Sequence, residues 1–207
     1  MQYRRRLLTA VAAIGVFVLA DAAEAQESCA VLTTTTSSLS REESDAEARR
    51  TIADARRATD DHDRCRTLAL GINQTRSVST ANMLFEAATA LRGDYELAEI
   101  LSSAAARGLL EERTSTAFFA AVESLEDDFQ HARVLGAALR AGAAKPPIVQ
   151  AILRSATGIQ DDYQLASVLV AVARSAPITG ETRALYGATA RTLQNRWEYR
   201  RAMNALN

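Results

Sequence analysis

Histidine, cysteine, proline and glycine are all scarce in this chain, and each shortage excludes something. The 207 residues hold two histidines, two cysteines, three prolines and nine glycines. His62 and His131 fit no metal-site spacing such as His-Glu-x-x-His. No Gly-x-Ser-x-Gly elbow and no phosphate-cradling glycine loop is present. The few glycines and prolines sit mostly between periodic segments. Charge is nearly balanced, at −1 overall, so the basic excess that general nucleic-acid binding requires is missing. What remains is rich in alanine, leucine and arginine, a composition that points to an all-α protein.

The N-terminus reads as an export signal. Arg4, Arg5 and Arg6 form a basic start, Leu7 to Ala20 is mostly apolar, and Ala23-Glu24-Ala25 fits a small-x-small cleavage site. A membrane anchor is the alternative, but the apolar run is shorter than the ~20 residues a spanning helix needs. Cleavage before Gln26 removes three arginines and two acids and brings the charge from −1 to −2. The paired arginines leave both general and twin-arginine export open. The expected location is the periplasm or outside of a bacterial cell. In that compartment Cys29 and Cys65 are candidates for a disulfide, with two free thiols as the alternative.

Residues 26–40 form a Thr/Ser-rich linker with little apolar surface. Residues 41–79 read as capping helices or a degenerate repeat. Ser40 with Glu43, and Ser44 with Glu47, have capping-box spacing, and Ala48, Ile52 and Ala55 form a thin apolar seam. Gly71 is expected to end the second helix, leaving residues 72–79 as a loop.

Residues 80–207 carry the organising pattern. Asp94-Tyr95-Glu96-Leu97-Ala98-Glu99-Ile100-Leu101 returns around Phe129, Tyr163 and, in worn form, Trp197, with the aromatic moving by 34 residues each time. A fixed period of that size marks a repeat protein. The spacing predicts four helical hairpins stacked as an α-solenoid. In the first helix of each unit Leu84 and Leu91 recur as Phe118 and Leu125, as Ile152 and Ile159, and as Tyr186 and Leu193. Tyr95, Ala98 and Leu101 recur in the second helix as Phe129 and Leu135, Tyr163 and Leu169, and Trp197. The four aromatics are expected inside, locking unit to unit, and a scaffold reading built on them loses its support if they face outward. Asp94, Asp128 and Asp162 are expected to cap the second helices. Asp127 and Asp161 beside two of them supply too few oxygens, in turns too tight, for calcium. His131 occupies a leucine position (Leu97, Leu165), which predicts a packing role. Gly108, Gly142, Pro146 and Pro177 mark unit boundaries.

The last unit is the most basic. Arg191, Arg196 and Arg200, with Tyr199, are either the charged face of a terminal repeat or a partner-binding patch. Matched positions that differ between units, such as Glu99, Arg133 and Ser167, are candidate surface residues.

The period equals that of tetratricopeptide repeats, whose Trp-x-x-Leu-Gly-x-x-Tyr pattern is absent. The Asp-Tyr-Glu-x-Ala-x-x-Leu phrase resembles the helical repeats that trail the membrane peptidase domain of some bacterial BlaR-type sensors, over residues 81–206. That resemblance implies an extracytoplasmic helical array with a sensing or scaffolding use. It carries over no catalytic role, since the zinc-peptidase motif is absent. The expectation is therefore a non-catalytic, cofactor-free scaffold or sensor module that binds a protein or peptide. Alternatives are an enzyme or small-molecule binder using a pocket near the Arg-rich C-terminal unit, and a homodimer formed through the aromatic end.

Overall fold

A computed structural model describes residues 40–142 and 145–206 of the chain. The export signal over 1–25, Cys29 and the linker up to residue 39 lie outside the described residues. Among the described residues the protein is all-α, with ten helices and no strand. They are α1 (Arg41–Arg57), α2 (Asp61–Gln74), α3 (Val78–Ala88), α4 (Asp94–Ala106) and α5 (Ser115–Val122). The rest are α6 (Asp128–Gly142), α7 (Pro146–Ala156), α8 (Asp162–Ser175), α9 (Gly180–Ala190) and α10 (Arg196–Ala205). Each odd-numbered helix packs on the next odd-numbered one, and each even-numbered helix on the next even-numbered one.

Local chemistry starts these helices where they start. Ser40 and Glu43 form a reciprocal capping box at α1, which satisfies two backbone donors that the helix leaves open. Ser44 does something else: its hydroxyl donates to the Gln74 carbonyl at 2.9 Å and ties α1 to the end of α2. Pro146 opens α7, where its fixed φ costs nothing. Gly71 does not end α2. It is buried, with the position of a Cβ 3.5 Å from Ile52 Cγ1, and packing against α1 carries the helix on to Gln74. The connection to α3 is correspondingly only residues 75–77.

The core is one continuous apolar cluster. Leu84, Phe118, Ile152 and Tyr186, each 34 residues from the next, are fully buried in the odd-numbered helices. Phe118 meets Phe85 edge-on at 5.3 Å, the arrangement that aromatic quadrupoles favour. Tyr186 donates its hydroxyl to the Ala202 carbonyl at 2.7 Å, and burial pushes its pKa up to about 12. Ala98, Leu101, Leu135 and Leu169 are buried in the even-numbered helices. Leu91, Leu125, Ile159 and Leu193 are buried too, but they lie past the ends of α3, α5, α7 and α9. In all four turns the backbone tightens to i→i−3 bonding at that residue, as from Leu91 N–H to the Ala88 carbonyl at 2.9 Å. The tighter winding keeps the side chain pointing inward after the α-helix has stopped.

The repeating aromatics are the main departure from expectation. Phe129 is 57% exposed, Tyr163 59% and Trp197 77%, while Tyr95 is half-buried. The cause is helical phase. At 3.6 residues per turn, six residues between Tyr95 and Leu101 turn the chain through about 600°, which leaves Tyr95 about 120° away from the buried leucine. Leu97, Ala98, Leu101, Ala104 and Ala105 already complete the inward face of α4. The rings are outside, and small and aliphatic side chains join the even-numbered helices.

The repeated aspartates also differ from expectation. α4 has Gly93 at its N-cap and no side-chain cap. Asp161 caps α8 through the Gln164 amide, and the Asp127 carboxylate accepts from the Gln130 amide at 2.8 Å. The following aspartate in each case reaches sideways to the next hairpin turn. Asp61 accepts from the amides of Arg92 and Gly93 at 2.7 and 3.1 Å. Asp94 accepts from Glu126 and Asp127, Asp128 from Gln160 and Asp161 at 3.0 and 2.6 Å, and Asp162 from Gln194 and Asn195. A side chain at the first helical position leans back past the helix N-terminus, so its carboxylate overhangs the neighbouring turn. There it satisfies two amides that no helix bonds. These four rungs tie α2, α4, α6 and α8 each to the turn that leads into the next even-numbered helix. At the end of the series Arg196 stands in the rung position, and the Asn195 side chain caps α10.

A fifth carboxylate ties the other row. Asp45 on α1 accepts from the amides of Arg76 and Ser77, both at 3.0 Å, and from the hydroxyls of Ser77 and Thr80 at 2.7 and 2.8 Å. Burial works to raise its pKa. Hydrogen bonds from Ser77, Arg76 and Thr80 together outweigh that effect and hold it below the ordinary aspartate value.

Candidate functional site

The exposed rings form the most distinctive surface feature, and they are interleaved with arginine. Each ring stands at the second position of its helix: Tyr95 on α4, Phe129 on α6, Tyr163 on α8 and Trp197 on α10. The Arg133 guanidinium lies 5.6 Å from the Tyr95 ring centre, and that of Arg201 lies 5.0 Å from the Tyr163 ring. Arg200 lies 6.0 Å from Trp197, beside Tyr199, which is 38% exposed. These distances suit cation–π attraction. Two of the arginines are also held from the neighbouring helix: Arg133 pairs with Glu99, and Arg201 donates to the Ser167 hydroxyl at 2.9 Å. Matched positions of consecutive even-numbered helices therefore bond laterally, and each such arginine is fixed over a ring instead of sweeping through solvent.

Of the residues singled out in the last unit, Arg191, Arg196 and Arg200 are exposed. Arg200 and Tyr199 sit beside the Trp197 end of the stripe. The sequence points to this end only, because the repeat pattern predicts the four rings to be inside. The signal that could have turned them outward was present in Leu97, Ala98 and Leu101, whose spacing already fills the inward face.

His131 is buried at its leucine-equivalent position, with Nε2 2.9 Å from Ser155 Oγ. Burial lowers its pKa, and the charges of Asp128 and Asp94 oppose that shift without cancelling it. The pair resembles part of a nucleophile–base arrangement, but it stands at the C-terminal end of α7. The nearby Thr157 and Gly158 amides already donate to the Arg154 and Ser155 carbonyls at 3.2 and 3.0 Å, so they are not available as oxyanion donors. What the pair supplies is a satisfied polar contact between α6 and α7. Cys65 is buried on α2, and Cys29 lies outside the described residues. Among the described residues no three His, Cys, Asp or Glu side chains cluster as a metal site, and no helix is long and apolar enough to cross a membrane.

No protein-family model, curated protein or solved structure matches this chain.

Proposed function

We propose that the protein is an exported, non-catalytic α-solenoid built on a 34-residue helical hairpin, and that it holds an extended polypeptide along its row of exposed rings. The observation that carries this reading is the exposure of Phe129, Tyr163 and Trp197 on consecutive even-numbered helices. It rests on those rings being accessible, not on their being buried between units. Monomeric surfaces rarely leave large aromatics uncovered in a line, and such features mark interaction sites. Arginine with tyrosine or tryptophan is also the composition of interface hot spots.

The geometry favours one form of partner. Packed helices lie about 8–10 Å apart, which sets the ring-to-ring step. A polyproline-II segment rises about 3.1 Å per residue with three residues per turn, or about 9 Å per turn. Every third side chain of such a segment would meet the next ring, and aromatic-lined grooves recognise proline-rich chains in this way. The arginines beside the rings add a preference for acidic residues in between. The partner class is an acidic, proline-containing extended segment of another exported protein. A sensing or scaffolding use agrees with the resemblance of the repeated phrase to the arrays behind BlaR-type sensors.

Trp197 is the only tryptophan and lies at one end of the stripe, so its fluorescence reports occupancy directly. Synthetic peptides of repeating Pro-Pro-Glu are expected to change that emission saturably, and Ala-Ala-Glu peptides to bind far more weakly. Phe129→Ala with Tyr163→Ala should abolish the effect while leaving the circular dichroism unchanged. Equal responses to both peptides, or no loss in the double variant, would remove the polypeptide reading. A mass corresponding to two chains in light scattering, lost in Trp197→Ala, would assign the stripe to self-association instead.

A further inference from the structure

The 34-residue spacing that relates the starts of α3, α7 and α9 (Val78, Pro146 and Gly180) puts the start of α5 at residue 112. α5 begins instead at Ser115, and with eight residues it is the shortest of the ten helices described. The missing turn has become a longer α4–α5 loop, and that loop is firmly built. Gly108 turns it with φ +81°, a conformation that disfavours side chains. Thr114, 1% exposed, donates its hydroxyl to the Leu109 carbonyl at 2.7 Å and accepts from the Glu111 amide at 2.8 Å. A local break in an otherwise regular pattern, held in place by its own hydrogen bonds, is where a specialised site is expected.

Beside this loop and the α2–α3 loop lies a cavity of about 550 Å³, within the roughly 300–1,000 Å³ typical of small-molecule sites. Arg41, Arg76, Arg107 and Arg113 line it, with Glu111 as the one acid in the lining. Four positive charges and one negative meet there, in a chain whose overall charge is −1. Arg41 and Arg76 are partly engaged, donating to the Arg76 and Thr75 carbonyls. Among the described residues, the side chains of Arg107 and Arg113 have neither an ion pair nor a hydrogen bond. Four guanidinium groups from α1 and two separate loops repel one another, and a bound anion would relieve that repulsion. α3 also begins at this cavity, at Val78, but the Asp45 carboxylate already occupies that helix start, so the arginines alone supply the field that would hold an anion.

We propose that this cavity binds a small polyanion, a molecule presenting two or more carboxylate or phosphate groups. The planar fork of arginine matches both groups bidentately. Arg107 and Arg113 would supply the free forks, while Arg41 and Arg76 hold the loop and contribute charge. This site is independent of the ring stripe and is built from residues between Arg41 and Thr114, away from the Arg-rich last unit.

The test is calorimetric titration of the protein with citrate and, separately, with inorganic pyrophosphate, against sodium chloride at matched ionic strength. At least one of the two should bind saturably and raise Tm beyond the chloride control. A response to citrate alone assigns a carboxylate ligand, and one to pyrophosphate alone assigns a phosphate ligand. The double variant Arg107→Ala, Arg113→Ala, both exposed residues, should keep its circular dichroism and weaken binding by about tenfold or more, since each lost charged hydrogen bond is worth that much. Arg140→Ala, on α6 and outside this lining, should bind as the parent does. Failure of both probes, undiminished binding by the double variant, or an equal loss in Arg140→Ala would overturn the assignment.

Discussion

Replacing Asp128 by alanine tests whether neighbouring hairpins are tied by carboxylate rungs or by the aromatic beside them. The substitution leaves the Gln160 and Asp161 amides, now 3.0 and 2.6 Å from the carboxylate, without their acceptor. A hydrogen bond to a charged group contributes about 1.5–3 kcal/mol when water is kept away. Here Gln160 and Asp161 are exposed, so water recovers part of each bond, and the two together are worth about 1–2 kcal/mol. Losing a negative charge at the start of α6 adds about 0.3–1 kcal/mol. With a urea m-value of about 2 kcal/mol/M, the midpoint followed by circular dichroism should fall by about 0.7–1.5 M. The Gln160 and Asp161 amides should also lose hydrogen-exchange protection. Phe129→Ala, one residue away, should move the midpoint by no more than about 0.25 M, because the ring is outside and such substitutions fall within about 0.5 kcal/mol. Hydrophobicity alone would rank the two variants the other way. The reasoning is refuted if Phe129→Ala proves the more destabilising, or if Asp128→Ala leaves both amides protected.

Phe118→Ala removes a fully buried ring and should cost about 3–5 kcal/mol in the same melts, whereas Trp197→Ala should be near neutral. Acid should weaken the fold in two stages. A buried neutral His131 binds its proton more readily unfolded, so stability falls as pH drops below about 6.5 towards its lowered folded pKa. His131→Leu should flatten that stage in pH-dependent melts. The carboxyl of Asp45 is held low, so its contribution is present above about pH 4 and is lost as pH falls through its folded value. Asp45→Asn should reduce that second stage. Alkylation of the unreduced, denatured protein should find no free thiol if Cys29 pairs with Cys65, and two thiols would dismiss the pairing.

Much of the architecture is legible in the residues themselves. Helix content, the starts at Ser40 and Pro146, and the inward column Leu84, Phe118, Ile152 and Tyr186 are local or periodic properties. A chain determines such properties through propensity and spacing alone. Two matters were decided only by tertiary structure. The spacing of Leu97, Ala98 and Leu101 allows Tyr95 and its counterparts to face outward, but which arc of α4 is covered is decided by the helices that pack on it. Which acid of a pair such as Asp127-Asp128 caps its own helix, and which ties the next turn, depends on where that turn lies. The same holds for the arginines that meet beside the α4–α5 loop, for they come from three separate stretches of chain. A periodic sequence therefore specifies the helices and their inner face. The outer face, and the chemistry gathered there, is set by how each helix packs against its neighbours, because it consists of the side chains that packing leaves over.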